Sequence, residues 1–159
     1  MKPAILLAST LVPIVIRLMW YNEKIFGTSW MKETGMTKEK AKEANMLKTY
    51  ALMLLFSLMI SVVLYQIVIH QNALSSLVMG DQSPATQKWL KEAMSSYGTN
   101  FRNFKHGMLH GFMTGLFLAL PIVGLNSQFE MKSWKYILIT SGYWIVSLML
   151  MGGIICQWG

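Results

Sequence analysis

Charge is scarce in this sequence. Its 159 residues hold 7 acidic and 14 basic side chains, 13% charged in all, against about a quarter in ordinary soluble domains. That shortage argues against a soluble fold with a charged shell. Cysteine is scarcer still. Cys156 stands alone, which excludes an internal disulfide and leaves the redox compartment open. No Ser-His-Asp order, phosphate-binding glycine loop or Cys-His metal pattern occurs, so the common motif-based enzyme classes have no foothold. The hydrophobic stretches also lack strict apolar–polar alternation, the signature a membrane β-barrel requires.

What is present is apolar: 53% hydrophobic residues and a mean hydropathy of +0.40. A helix needs about 20 apolar residues to cross the ~30 Å hydrocarbon core. Four runs qualify: residues 3–21, interrupted only by Arg17, and the uncharged runs 50–69, 107–125 and 136–158. Backbone groups in lipid must be satisfied within the segment, so each run is read as an α-helix. The expected fold is an all-α membrane protein, a single four-span domain over residues 1–159. Lys2 and the small pair Ala8-Ser9 give the first run some likeness to a signal peptide. Its apolar character continues to Ile16 and ends on Trp20-Tyr21, an aromatic pair suited to a membrane boundary, which favours a retained helix.

Four spans put both termini and the middle loop on one side. The two odd loops hold eight lysines (Lys24, Lys32, Lys38, Lys40, Lys42, Lys48, Lys132 and Lys135) against five basic residues on the terminal side (Lys2, Lys88, Lys91, Arg102 and Lys105). The positive-inside rule then places the odd loops in the cytoplasm and both termini outside. The net charge of +7 does not indicate nucleic acid, because the loop lysines alternate with Glu33, Glu39 and Glu43 as on a solvated helix face. The basic excess suits anionic lipid headgroups, and the bilayer is the expected partner.

The connections carry their own signals. Ser83-Pro84 reads as an N-cap with a first-turn proline and Gly98 as a stop. Between them Ala85, Trp89, Leu90, Ala93, Met94 and Tyr97 share one face, predicting a short interfacial amphipathic helix between the second and third spans. In the first loop Gly35 ends a turn, and Thr37 caps a helix expected to run unbroken into the second span.

Four blocks in order carry a family resemblance: WYNEKIFGTSWMKETGMT after the first span, HGMLHG entering the third, ALPIVGLNSQFE leaving it and SGYWIVSLMLMG in the fourth. The chain resembles the bacterial membrane proteins of domain-of-unknown-function family 1761 over nearly its whole length. The resemblance implies a four-helix protein of the bacterial inner membrane and brings no established activity, cofactor or partner.

Gly107, Gly111 and Gly115 recur every four residues and open a groove along one face of the third span. Small residues let helix backbones approach closely in lipid, so this stripe is expected to pack against a helix of the same or another chain. Pro121 should kink that span. His106 and His110, at i and i+4, share a face, and topology brings His70 to the same membrane side. The three form the candidate ligand set for a divalent metal, though no cofactor is assigned. Arg17, the one charge within a span, can snorkel to the boundary or pair with Glu23 or Glu130. The 14 methionines read as flexible packing rather than soft-metal ligands.

Three functions follow, in order. The first is an interaction or structural subunit that packs through its glycine-rich third helix, with a homo-oligomer or another membrane protein as partner. The second is an oligomeric small-solute pore or permease lined by His110, Ser57, Ser61, Gln66, Thr140 and Ser147. The third is an integral membrane enzyme or metal-binding protein, and the balance favours a non-enzyme.

Overall fold

The computed structural model describes residues 2–159. Four helices are long and apolar enough to cross a membrane: α1 (Pro3–Trp20), α4 (Met46–Val68), a third span over Phe104–Phe129, and α9 (Trp134–Trp158). No strand occurs among the described residues. The protein is thus a multi-pass, all-α membrane protein. The outer two spans of the sequence extend little beyond their apolar runs. The middle ones begin several residues earlier, because Asn45 and Asn103 set their starts by accepting hydrogen bonds from the Lys48 and His106 amides.

α9 is the centre of the bundle, packed on α1, on α4 and most extensively on the third span. Its buried positions include Ile137, Tyr143, Leu148, Met151, Ile155 and Cys156. The outer helices are inside out relative to a soluble protein. On α4 the inward stripe is Ser57, Ser61, Leu64 and Val68, whereas Leu55, Phe56, Met59 and Val63 face outward. With lipid as solvent, large apolar side chains gain nothing by hiding, and small or hydrogen-bonding residues make the helix contacts. Ser9 and Ser61, both buried, meet at 3.1 Å between α1 and α4. The Tyr143 hydroxyl donates to the Pro13 carbonyl oxygen at 3.0 Å, joining α9 to α1.

The first loop departs from the expected unbroken helix. Thr37 does cap, accepting from the Lys40 amide, but α3 (Lys38–Lys42) stops there. Asn45 then takes an extended conformation and starts α4 anew. An Asn side chain that bonds a nearby amide competes with helix continuation, and here the cap wins. Ahead of α3, a π turn (Glu23–Gly27) leads into α2 (Thr28–Thr34), which Gly35 ends with a left-handed φ of 67°. Phe26 rests on Trp20, and Trp30 edges onto Tyr21, folding the loop back beneath α1.

Between the second and third spans lie α5 (Gln71–Leu77) and the amphipathic α6 (Pro84–Tyr97). Ser83 caps α6, and Trp89 and Tyr97 remain exposed on it, as an interfacial helix requires. The third span comprises α7 (Phe104–Thr114), a π turn (Gly115–Ala119) and α8 (Leu120–Phe129). Pro121 sits in the first turn of α8, and the looser π turn immediately before it absorbs its missing amide donor.

Candidate functional site

His70, His106 and His110 meet at the end of the bundle that carries the termini. The His106 Nε2 lies 2.9 Å from the His70 Nε2 and 3.0 Å from the His110 Nε2. The three ligand nitrogens fall within 4.8 Å of one another. One imidazole nitrogen carries either a proton or a lone pair, so the His106 Nε2 can make one good hydrogen bond, not two. A cation at the common point would instead take a lone pair from each ring. Three imidazoles on tetrahedral zinc at ~2.0–2.1 Å hold their nitrogens about 3.3 Å apart; the two contacts through His106 are slightly shorter, and the His70 and His110 nitrogens, within 4.8 Å, would draw together on binding.

Each histidine is set in place by a different local device. His106 and His110 stack along α7, whose first turn is fixed by the Asn103 side chain bonding the His106 amide at 2.9 Å. His70 occupies the corner between α4 and α5, where Ile69 is extended and ends α4. Its neighbours Ile69 and Gln71 are both buried and pin that corner. The Gln71 Nε2 donates to the Tyr97 and Asn100 carbonyl oxygens at 2.9 and 3.0 Å, tying the corner to the chain that enters α7.

Phe101 covers the cluster. Its ring stacks on His106, with centroids 5.1 Å apart and planes 29° apart, and meets His70 edge-on at 6.1 Å. It does so from a left-handed backbone, φ 62°, uncommon for a residue with a side chain. Arg102 turns the other way and donates to the Cys156 and Gly159 carbonyl oxygens at 3.0 and 2.6 Å, satisfying the end of α9. Of these supports only Asn103 had a readable signal, as an Asn just before an apolar run. The roles of Gln71, Phe101 and Arg102 depend on contacts across the fold.

The glycine stripe lies directly beside the histidines. Gly107, Gly111 and Gly115 all face α9. A side-chain carbon at Gly107 would strike the Gly152 backbone and Cys156, at Gly111 the Leu148 and Met149 backbone, and at Gly115 the Ile145 Cα at 2.7 Å. Gly152 returns the contact against Gly107. Cys156 is fully buried, its Sγ 3.3 Å from the Phe101 carbonyl oxygen and 3.6 Å from that of Val68.

Other candidates fall elsewhere. Arg17 lies over the Tyr21 ring, 4.9 Å from its centroid. Glu23 pairs with Lys38 at 2.8 Å, and among the described residues no ion pair joins Arg17 to Glu23 or Glu130. Of the residues considered for a pore, Ser57, Ser61 and Ser147 are buried between helices, while Gln66 faces outward. No carboxylate belongs to the histidine cluster among the described residues.

Residues 4–156 match the family described as "Protein of unknown function (DUF1761)", and the chain belongs to that family. No curated protein and no solved structure matches the chain significantly.

Proposed function

We propose that this family member is a membrane metal-binding protein that holds a divalent transition ion, such as zinc, through His70, His106 and His110. The observation that carries the reading is the approach of three Nε2 atoms to one point from two separate parts of the chain. Three neutral nitrogen ligands suit zinc and its first-row neighbours, and they leave a fourth position for water or an incoming ligand. The positive-inside balance of eight lysines against five basic residues supports a position for this site on the outer side of a bacterial inner membrane. The docking-subunit reading is less favoured, because the glycine face it relied on is already covered by α9 of the same chain.

Equilibrium dialysis of purified protein against zinc, with metal counted by mass spectrometry, tests the proposal. Wild type should bind about one ion per chain, His110→Ala and His70→Ala should bind far less, and Lys105→Ala should match wild type. Imidazole binds metal only when unprotonated, so affinity should weaken as pH falls through about 6.5. Equal metal content in wild type and both histidine variants would overturn the assignment.

A further inference from the structure

Arg17 is a cation inside a membrane helix with no acidic partner among the described residues. A charge within a span is costly unless it faces a partner or a cavity, and the Tyr21 ring covers only one face of the guanidinium. A cavity is present. Arg17, Tyr21, Trp30, Tyr136, Tyr143 and Trp144 line about 280 Å³ at the lysine-rich end of the bundle. Trp144 is also a wall of a second, larger space of about 480 Å³. That groove runs between α4 and the third span, past Val63, Ile67, Leu118 and Ile122, and its walls are almost wholly apolar.

The two spaces adjoin at Trp144 and follow one another along α4, a cationic polar one bordered by Met53 and Ser57 and a hydrocarbon-lined one bordered by Ile60 to Ile67. Met53 borders the first and Ile67 the far end of the second; on α4 they are about 21 Å apart at 1.5 Å per residue. A free anion would fill only the Arg17 end. A long-chain amphiphile fills both, with its charge at the basic boundary and its chain along the bilayer normal.

We propose that the Arg17 cavity binds the anionic headgroup of a membrane phospholipid, one of whose chains lies in the groove between α4 and the third span. The headgroup end lies at the opposite end of the bundle from the histidines; the groove stops at Ile67 and no histidine lines it. The guanidinium supplies directed donors to phosphate oxygens, the aromatic rings exclude water around them, and Trp144 forms the wall where head passes to chain.

Native mass spectrometry and thermal unfolding of the delipidated, detergent-purified protein test this with three probes: dioleoyl phosphatidylglycerol, dioleoyl phosphatidylcholine and inorganic phosphate. Phosphatidylglycerol should bind and raise the unfolding temperature, while phosphatidylcholine, which keeps the phosphate but brings a trimethylammonium cation beside Arg17, should bind at least about tenfold more weakly through like-charge repulsion. Arg17→Gln should lose the preference and Arg17→Lys should keep most of it. Leu118→Trp, which fills the groove from a lipid-exposed position, should lower phosphatidylglycerol affinity with Arg17 intact. Equal binding of the two lipids, an unchanged preference in Arg17→Gln, or full stabilisation by inorganic phosphate alone would each overturn the proposal.

Discussion

Replacing Gly111 by alanine adds one methyl group where α7 and α9 touch backbone to backbone. The new carbon would sit 2.6 Å from the Leu148 carbonyl carbon and 2.8 Å from the Met149 Cα. Carbon atoms rest about 3.5–4.0 Å apart, so relief requires the helices to separate by about 1 Å. Neither obstacle is a side chain that can rotate away. Overpacking of this kind costs about 1–3 kcal/mol, whereas the gain from replacing glycine within a helix is at most about 1 kcal/mol. Gly124→Ala is the matched control, on the same span with nothing within 4 Å of the added carbon. Thermal unfolding in detergent should show Gly111→Ala clearly less stable than wild type and Gly124→Ala equal to it or slightly more stable. The same 1 Å movement shifts His106 and His110 relative to His70, which the α4–α5 corner holds, so zinc affinity should fall in Gly111→Ala as well. Equal tolerance of the two alanines would refute the argument that backbone proximity holds the third span in place.

Tyr143→Phe removes the interhelical bond to the Pro13 carbonyl oxygen and should lower stability by about 0.5–1.5 kcal/mol, measured by the same unfolding assay; no change would mean that the bond adds nothing beyond the ring's packing. The Thr86 hydroxyl and the Ser83 amide donate to the Asp81 carboxylate and hold its pKa below the usual aspartate range. Its contribution to ordering the start of α6 is therefore present above the ordinary carboxyl pKa and is lost as pH falls through the lowered value, and a carboxyl-carbon NMR titration should find that lowered midpoint rather than an ordinary one. Reporter fusions at Gly35 and Ser127 should lie together, opposite Ser96; separation of Gly35 from Ser127 would end the four-span topology.

The spans were legible because lipid imposes a length and a composition that few other structures share, and residues 50–69 and 136–158 meet both without a charge. The amphipathic α6 was legible for a related reason: Ser83-Pro84 opens it and one face repeats. Breaks were less so. Lys38 to Val68 can be read as one helix until the Asn45 side chain is seen bonding the Lys48 amide. The π turn before Pro121 has no residue signature at all. For the candidate site, helical spacing aligned His106 with His110, and topology alone brought His70 to their side. The spacing of Gly107, Gly111 and Gly115 could not say which helix would face them. Helical spacing put Tyr21 one turn from Arg17, and their ring contact follows from it; Trp30 and Tyr143, which wall the same cavity, come from across the fold and had no such signal.

Histidines and glycines are immediate neighbours on α7, His106 beside Gly107 and His110 beside Gly111. Two of the three rings are thus carried on a backbone already pressed against α9, while the third, His70, comes from the α4–α5 corner that Gln71 ties to the chain entering α7. Under the proposed function, such a site acts as a calliper for ionic radius. Because His70 must draw toward the α7 pair to complete the shell of a small ion, discrimination among ions with the same taste for imidazole would come from size and would be lost first when the Gln71 ties that hold that corner are loosened.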